Sequence, residues 1–221
     1  MRELSLLEAR VLGVLIEKAH TVPDSYPLSL NALVSGCNQK TARDPVLNAT
    51  EAEVQVAVDA LKSLNLAFES SGSRVSRYEH NLGRAMALPS QSVAVLAVLM
   101  LRGPQTSAEL RMNCERLHRF ADVSSVEAFL AELAERAPEK GGALVIKLPR
   151  AAGAREPRWA HLLCGAVDVA ALAASVDAED FVAASELATL KSRQAAMQAE
   201  LDELRGLVER LYAELGVNRS A

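Results

Sequence analysis

The stretch CNQKTARDPVLN at 37–48 crowds Asn38, Gln39, Lys40, Thr41, Arg43, Asp44 and Asn48 around Pro45. Amides, a hydroxyl and two cations in one loop suit contact with a nucleic-acid backbone, which proteins hold largely through such side chains. They suit the docking of a peptide equally well. They also suit a loop bonded to itself, with Arg43 paired to Asp44 and Asn48 ordering the turn before Thr50. A second pattern, Arg-x-x-Arg-aromatic-x-His, occurs as RVSRYEH at 74–80 and again as REPRWAH at 155–161. Arg74, Arg77, Arg155 and Arg158 could grip phosphates or a minor groove. Alternatively they stack on Tyr78 and Trp159 or bridge to acids on neighbouring helices, and retention of the pattern in both copies favours such a shared structural task. His80 and His161 have no companions at ligand spacing and read as satisfied, half-buried strand residues, so no metal is expected. Neither a G-x-S-x-G, a P-loop, an HExxH nor a paired-carboxylate arrangement is present. Isolated acids such as Asp24 and Glu69 have no partner for acid–base work. The chain therefore reads as non-enzymatic, with no cofactor and no small-molecule substrate.

The elements that carry these residues come from an internal repeat. EARVLGVLIEK at 8–18 aligns with SVAVLAVLMLR at 92–102, placing Val11, Leu12, Val14 and Leu15 against Val95, Leu96, Val98 and Leu99. PLSLNAL at 27–33 answers to PQTSAEL at 104–110, and VQVAVDAL at 54–61 to VEAFLAEL at 126–133. The Arg-x-x-Arg strands complete the series in the same order. Capping boxes, in which Ser or Thr and a Glu three residues on satisfy each other's backbone donors, are expected at Ser5/Glu8, Thr50/Glu53, Thr106/Glu109 and Ser124/Glu127. The periodicity predicts helices over 5–19, 28–37, 50–64, 90–102, 106–117 and 124–136. Strands are expected at 66–70, 75–80, 144–148 and 158–162, in two hairpins. Three helices closed by a two-stranded hairpin is the winged-helix plan. The expected fold is thus mainly α with small β wings (α+β): winged-helix domains at 1–88 and 89–165, a linker at 166–183 and a coiled-coil helix at 184–217.

That last helix rests on a heptad series. Leu187, Leu190, Gln194, Met197, Leu201, Leu204, Val208, Leu211 and Leu215 alternate steps of three and four, with charged and amide residues between them. It predicts a homodimer, parallel or antiparallel; a single helix folded back on its own domain is the other possibility.

Half of the 221 residues are hydrophobic and 4% are aromatic, a composition that favours helix packing. Cys37, Cys114 and Cys164 are far apart and form no CxxC pair, which argues against a disulfide framework or zinc site and for a reducing compartment. Charged residues interrupt the N-terminal apolar run too early for a secretion signal, and no apolar run reaches membrane-spanning length. A cytoplasmic protein without a membrane partner is expected. The net charge of −4 is unevenly spread: −1 over residues 1–89, +2 over 90–165 and −5 over 166–221. The third helix of each repeat is acidic, with Glu51, Glu53 and Asp59 opposed by Lys62, and Glu127, Glu132 and Glu135 opposed by Arg136. Acids facing phosphates work against the counterion release that drives DNA binding.

SLLEARVLGVLIEK, YPLSLNALVSGCNQKTARDPVLN, GSRVSRYEH, LRGPQTSAELR, FADVSSVEAFL and REPRWAHLLCG resemble the YceH-like family of uncharacterised bacterial proteins over residues 3–165. The NQKT-x-RDPVLN run is the most specific of these motifs. The resemblance implies tandem winged-helix domains and brings no activity, cofactor or catalytic residue. Two functions stay open: a DNA-binding or transcription-associated dimer using the wings and the Lys40–Arg43 loop, or a protein–protein adaptor.

Overall fold

The computed structural model describes residues 2–70, 75–150 and 154–167, together with Gln194, Met197 and Gln198. Residues 1–167 form one compact unit. Of the heptad positions only Gln194 and Met197 are described; both are helical, and Met197 is exposed in the single chain. The rest of that series, and the expected dimer seam with it, lies outside the described residues.

Within the first half, α1 (Leu6–Thr21) starts where the Ser5 hydroxyl accepts from the Glu8 N–H and the Glu8 carboxylate accepts from the Ser5 N–H. β1 (Leu28–Ser29) leads directly into α2 (Leu30–Cys37), and α3 (Glu51–Ser63) opens on the Thr50/Glu53 capping box. Asn65 at φ 57° turns the chain out of α3, a conformation that asparagine tolerates better than most residues. β2 (Ala67–Ser70) and β3 (Arg77–His80) make the hairpin, and α4 (Leu82–Ala85) connects the halves. The second half repeats the order: α5 (Ser90–Arg102), α6 (Ser107–Asn113), α7 (Val123–Ala134), β4 (Val145–Lys147) and β5 (Trp159–His161). No helix among the described residues is long and apolar enough to cross a membrane.

The repeat is visible in the hydrogen bonds as well as in the order of elements. The first sheet runs β1–β3–β2, all antiparallel, with Leu28 opposite Tyr78. In the second half a single bridge between Gln105 and Trp159 takes the place of β1 beside the β4–β5 pair. Leu66 N–H donates to Leu61 C=O as Leu144 N–H does to Leu133 C=O. The two halves share one core, because α1 and α5 pack along each other and are buried over 8–16 and 92–101. Gly13 lets them approach: a Cβ there would lie 3.0 Å from the Leu101 side chain. Gly36 does the same for α2 against α1, where a Cβ would stand 2.6 Å from Val14 Cγ1.

The observed elements depart from the expected ones at four points. β1 was not anticipated: residues 28 and 29 pair with β3, so α2 begins only at Leu30, capped by Ser29. α6 stops at Asn113 rather than 117, because the chain turns at Cys114 to deliver Phe120 into the core. α7 is capped by Asp122, whose carboxylate accepts from Ser125 N–H, and the Ser124/Glu127 box does not form. Asp122 precedes Ser124 and, ionised, accepts more strongly. The short α4 carries no periodicity from which it could be expected.

Candidate functional site

Two arginines organise the 37–48 loop, and one of them comes from α1. Arg10 is fully buried, and its guanidinium donates to Cys37 C=O at 3.2 Å and Pro45 C=O at 2.6 Å. Burial, with the charge of Arg43 beside it, pulls Arg10 below the ordinary arginine value. Arg43 donates to Gly36 C=O and Ala42 C=O and forks onto both oxygens of Glu17, at 3.1 and 2.6 Å. Burial pushes the Glu17 carboxyl up, but the hydrogen bonds and charge of Arg43, helped by Lys18, outweigh it and hold Glu17 below the usual carboxylate range. The loop is fixed to α5 as well, since Asp44 N–H donates to Leu101 C=O at 2.8 Å. Arg43 therefore pairs with Glu17 and not with Asp44. Asn38, not Asn48, orders the turn into α3, its amide donating to Ala49 C=O and accepting from Ala49 N–H.

These bonds decide what the loop offers to a partner. Asn38 is occupied, Gln39 donates to Thr41 and accepts from Lys18, and Arg43 is buried. Lys40 and Thr41 project as exposed side chains. The missed members, Arg10 and Glu17, left a trace in the sequence: with Val14 they fall at i, i+4 and i+7, which puts opposite charges on one buried helix face.

The Arg-x-x-Arg strands divide similarly. Arg77 donates to Pro27 C=O at 2.8 Å, and Arg158, at the matching position, to Pro104 C=O at 3.0 Å. Each arginine thus ties its hairpin to the segment entering the second helix of its half. Arg158 also approaches Glu109 at 3.7 Å. Arg155 is exposed, and Arg74 lies outside the described residues. The two histidines are half-buried, but they are not satisfied: Nδ1 of His80 and of His161 is buried without a partner among the described residues. Burial lowers both to about 4, aided at His80 by His20. Burial also lifts the thiols of Cys37 and Cys114, again matching positions, to about 12. No three His, Cys, Asp or Glu side chains gather to hold a metal among the described residues.

The third helices complete the surface. On α3, Glu51, Ala52, Glu53, Val56 and Asp59 are exposed, and Lys62 is held by Glu69 and Asp59. On α7, Ser124, Glu127, Ala128, Ala131 and Glu132 are exposed, and the helix contains neither Lys nor Arg. A groove of about 350 Å³, lined by Ser5, Leu7, Glu8, Ala52, Glu53, Val56 and Ala57, runs between the starts of α1 and α3.

Fold and surface together define a mainly helical α+β protein of two matched halves, each with a small antiparallel sheet. Residues 4–154 match the family described as "Protein of unknown function, DUF480". The chain is 62% identical over 218 residues to a UPF0502 protein of Burkholderia pseudomallei, covering 99% of this chain and 92% of that one. It is 61% identical over 220 residues to a UPF0502 protein of Leptothrix cholodnii (98% and 97% covered) and 59% over 218 to one of Paraburkholderia phytofirmans (99% and 92%). The chain belongs to this DUF480/UPF0502 family, in keeping with its YceH-like motifs.

Proposed function

We propose that the chain is a tandem winged-helix adaptor that binds a protein partner, with the heptad series of 184–217 joining two copies. The winged-helix assignment is supported by the order helix, short strand, helix, helix, hairpin, and by the β1–β3–β2 arrangement that the Gln105–Trp159 bridge echoes. The observation that carries the adaptor role is the outward face of the third helices. A helix that reads DNA presents side chains that donate to bases and phosphates. Those of α3 and α7 present carboxylates, alanines, a valine that is 70% exposed and Ser124, whose hydroxyl donates to Asp122. Internal bonds also take up Asn38, Gln39 and Arg43, whereas Arg77 and Arg158 stay exposed and each spends one nitrogen on a proline carbonyl.

Duplex DNA is the second reading, favoured by the exposed Lys147, Arg150 and Arg155 on and beside the second hairpin. Titrating the full chain into a labelled duplex at low salt separates the two. No saturable rise in anisotropy is expected, and light scattering of the same preparation should give twice the 23.7 kDa of one chain. Saturable binding with a steep salt dependence would overturn the adaptor role, and a mass of one chain would remove the dimer.

A further inference from the structure

We propose that the groove between α1 and α3 receives a large apolar side chain from a basic amphipathic helix of a partner protein; this rests on the adaptor role and narrows it to one face and one partner chemistry. Leu7, Ala52, Val56 and Ala57 give the groove apolar walls, and Glu8 and Glu53 stand beside them. The internal repeat supplies a control. The α7 residue matching Ala57 is Phe129, whose ring packs edge-on to Phe120 with centroids 5.9 Å apart. The first half puts a methyl where the second puts a ring, and its groove stays open to solvent beside the exposed Val56.

Charge selects the occupant. Glu8, through its hydrogen bonds with Arg2, and Glu53, through those with Thr50, are both held below the usual carboxylate range and stay ionised. α3 adds the exposed Glu51, and its Lys62 is matched by Asp59 and Glu69 together. Arg2, bound to Glu8, offsets one of these charges, and the rim remains acidic. A helix with an apolar stripe flanked by Lys or Arg complements such a surface, and an acidic one is repelled. The segment 166–221 of this chain, at −5, carries the wrong sign for the slot.

Three labelled, stapled synthetic helices test the assignment against the full chain. One carries a leucine stripe flanked by lysines, one replaces the lysines with glutamates, and one keeps the lysines but replaces the leucines with serines. The first should bind about tenfold or more tighter than either copy, a difference easily resolved by anisotropy. Ala57→Phe, which copies the second half, should fill the slot and weaken that binding about tenfold. Val56→Ser, at a position 70% exposed, should weaken it too while leaving the helical circular dichroism unchanged. Equal binding of the three helices, or unchanged binding by Val56→Ser and a folded Ala57→Phe, would overturn the proposal. If that happens while duplex DNA stays unbound, the groove assignment fails and the adaptor role stands; duplex binding removes both.

Discussion

Glu17→Gln is expected to lower the unfolding free energy by about 3–5 kcal/mol, the usual consequence of removing one partner of a buried ion pair. The Arg43 side chain is fully buried and that of Glu17 15% exposed, so water cannot replace the lost carboxylate charge. The effect should spread beyond the pair. Arg43 also holds Gly36 C=O at the end of α2, and the neighbouring Asp44 N–H holds Leu101 C=O at the end of α5. Loosening the loop therefore releases attachments to both halves. Arg43→Lys should recover little, because an ammonium cannot fork onto two carboxylate oxygens while keeping the two backbone contacts. Urea denaturation at neutral pH reads both variants. A loss below about 1 kcal/mol for Glu17→Gln, the range of an exposed pair, would show that the loop is not secured in this way.

The same loop marks where the sequence stopped being informative. Its density of polar residues was legible, and so were the helices around it, since the apolar stripes of α1 and α5 and three of the four capping boxes formed as expected. What could not be read was which charge meets which. Arg43 lies beside Asp44 in sequence, yet its partner is 26 residues away on α1. β1 escaped for the same reason: two residues become a strand only because Tyr78 and Arg77 come to lie beside them. The short strand does not differ locally from a helix start. The acidity of α3 and α7 was legible from composition alone, and exposure adds that these carboxylates point outward. The groove was not legible, because it needs Leu7 and Ala57 in proximity, although Ala57 opposite Phe129 in the repeat was a usable hint.

A second large effect is expected on acidification. His80 and His161 are lowered from 6.5 to about 4 by burial, so the unfolded chain takes up protons before the folded one does. Stability is then fully present above pH 6.5 and drains away as pH falls towards 4. The slope reaches at most about 1.4 kcal/mol per pH unit for each histidine. Over the whole window each histidine contributes roughly 3 kcal/mol, a large part of the reserve of a small protein. His161→Leu should cut the slope between pH 6.5 and 4 by about half, because one of the two titrating groups is gone. Glu17 acts at lower pH: its carboxyl is held below the ordinary value, so its contribution is lost only as pH falls below about 4.5. Unfolding midpoints in urea across this range separate the two processes. A stability flat from pH 7 to 4.5 would mean that neither histidine is held below its ordinary value in the folded protein.

If the outward faces of α3 and α7 meet protein, photo-crosslinking in living cells will capture it. A photoreactive residue is placed at Val56 on α3 or at Ala128 on α7 of the full chain, both exposed positions. The expected result from Val56 is one protein adduct of fixed mass that survives nuclease treatment and fades with Ala57→Phe. Adducts that carry nucleic acid and disappear with nuclease, from either position, would contradict the adaptor role.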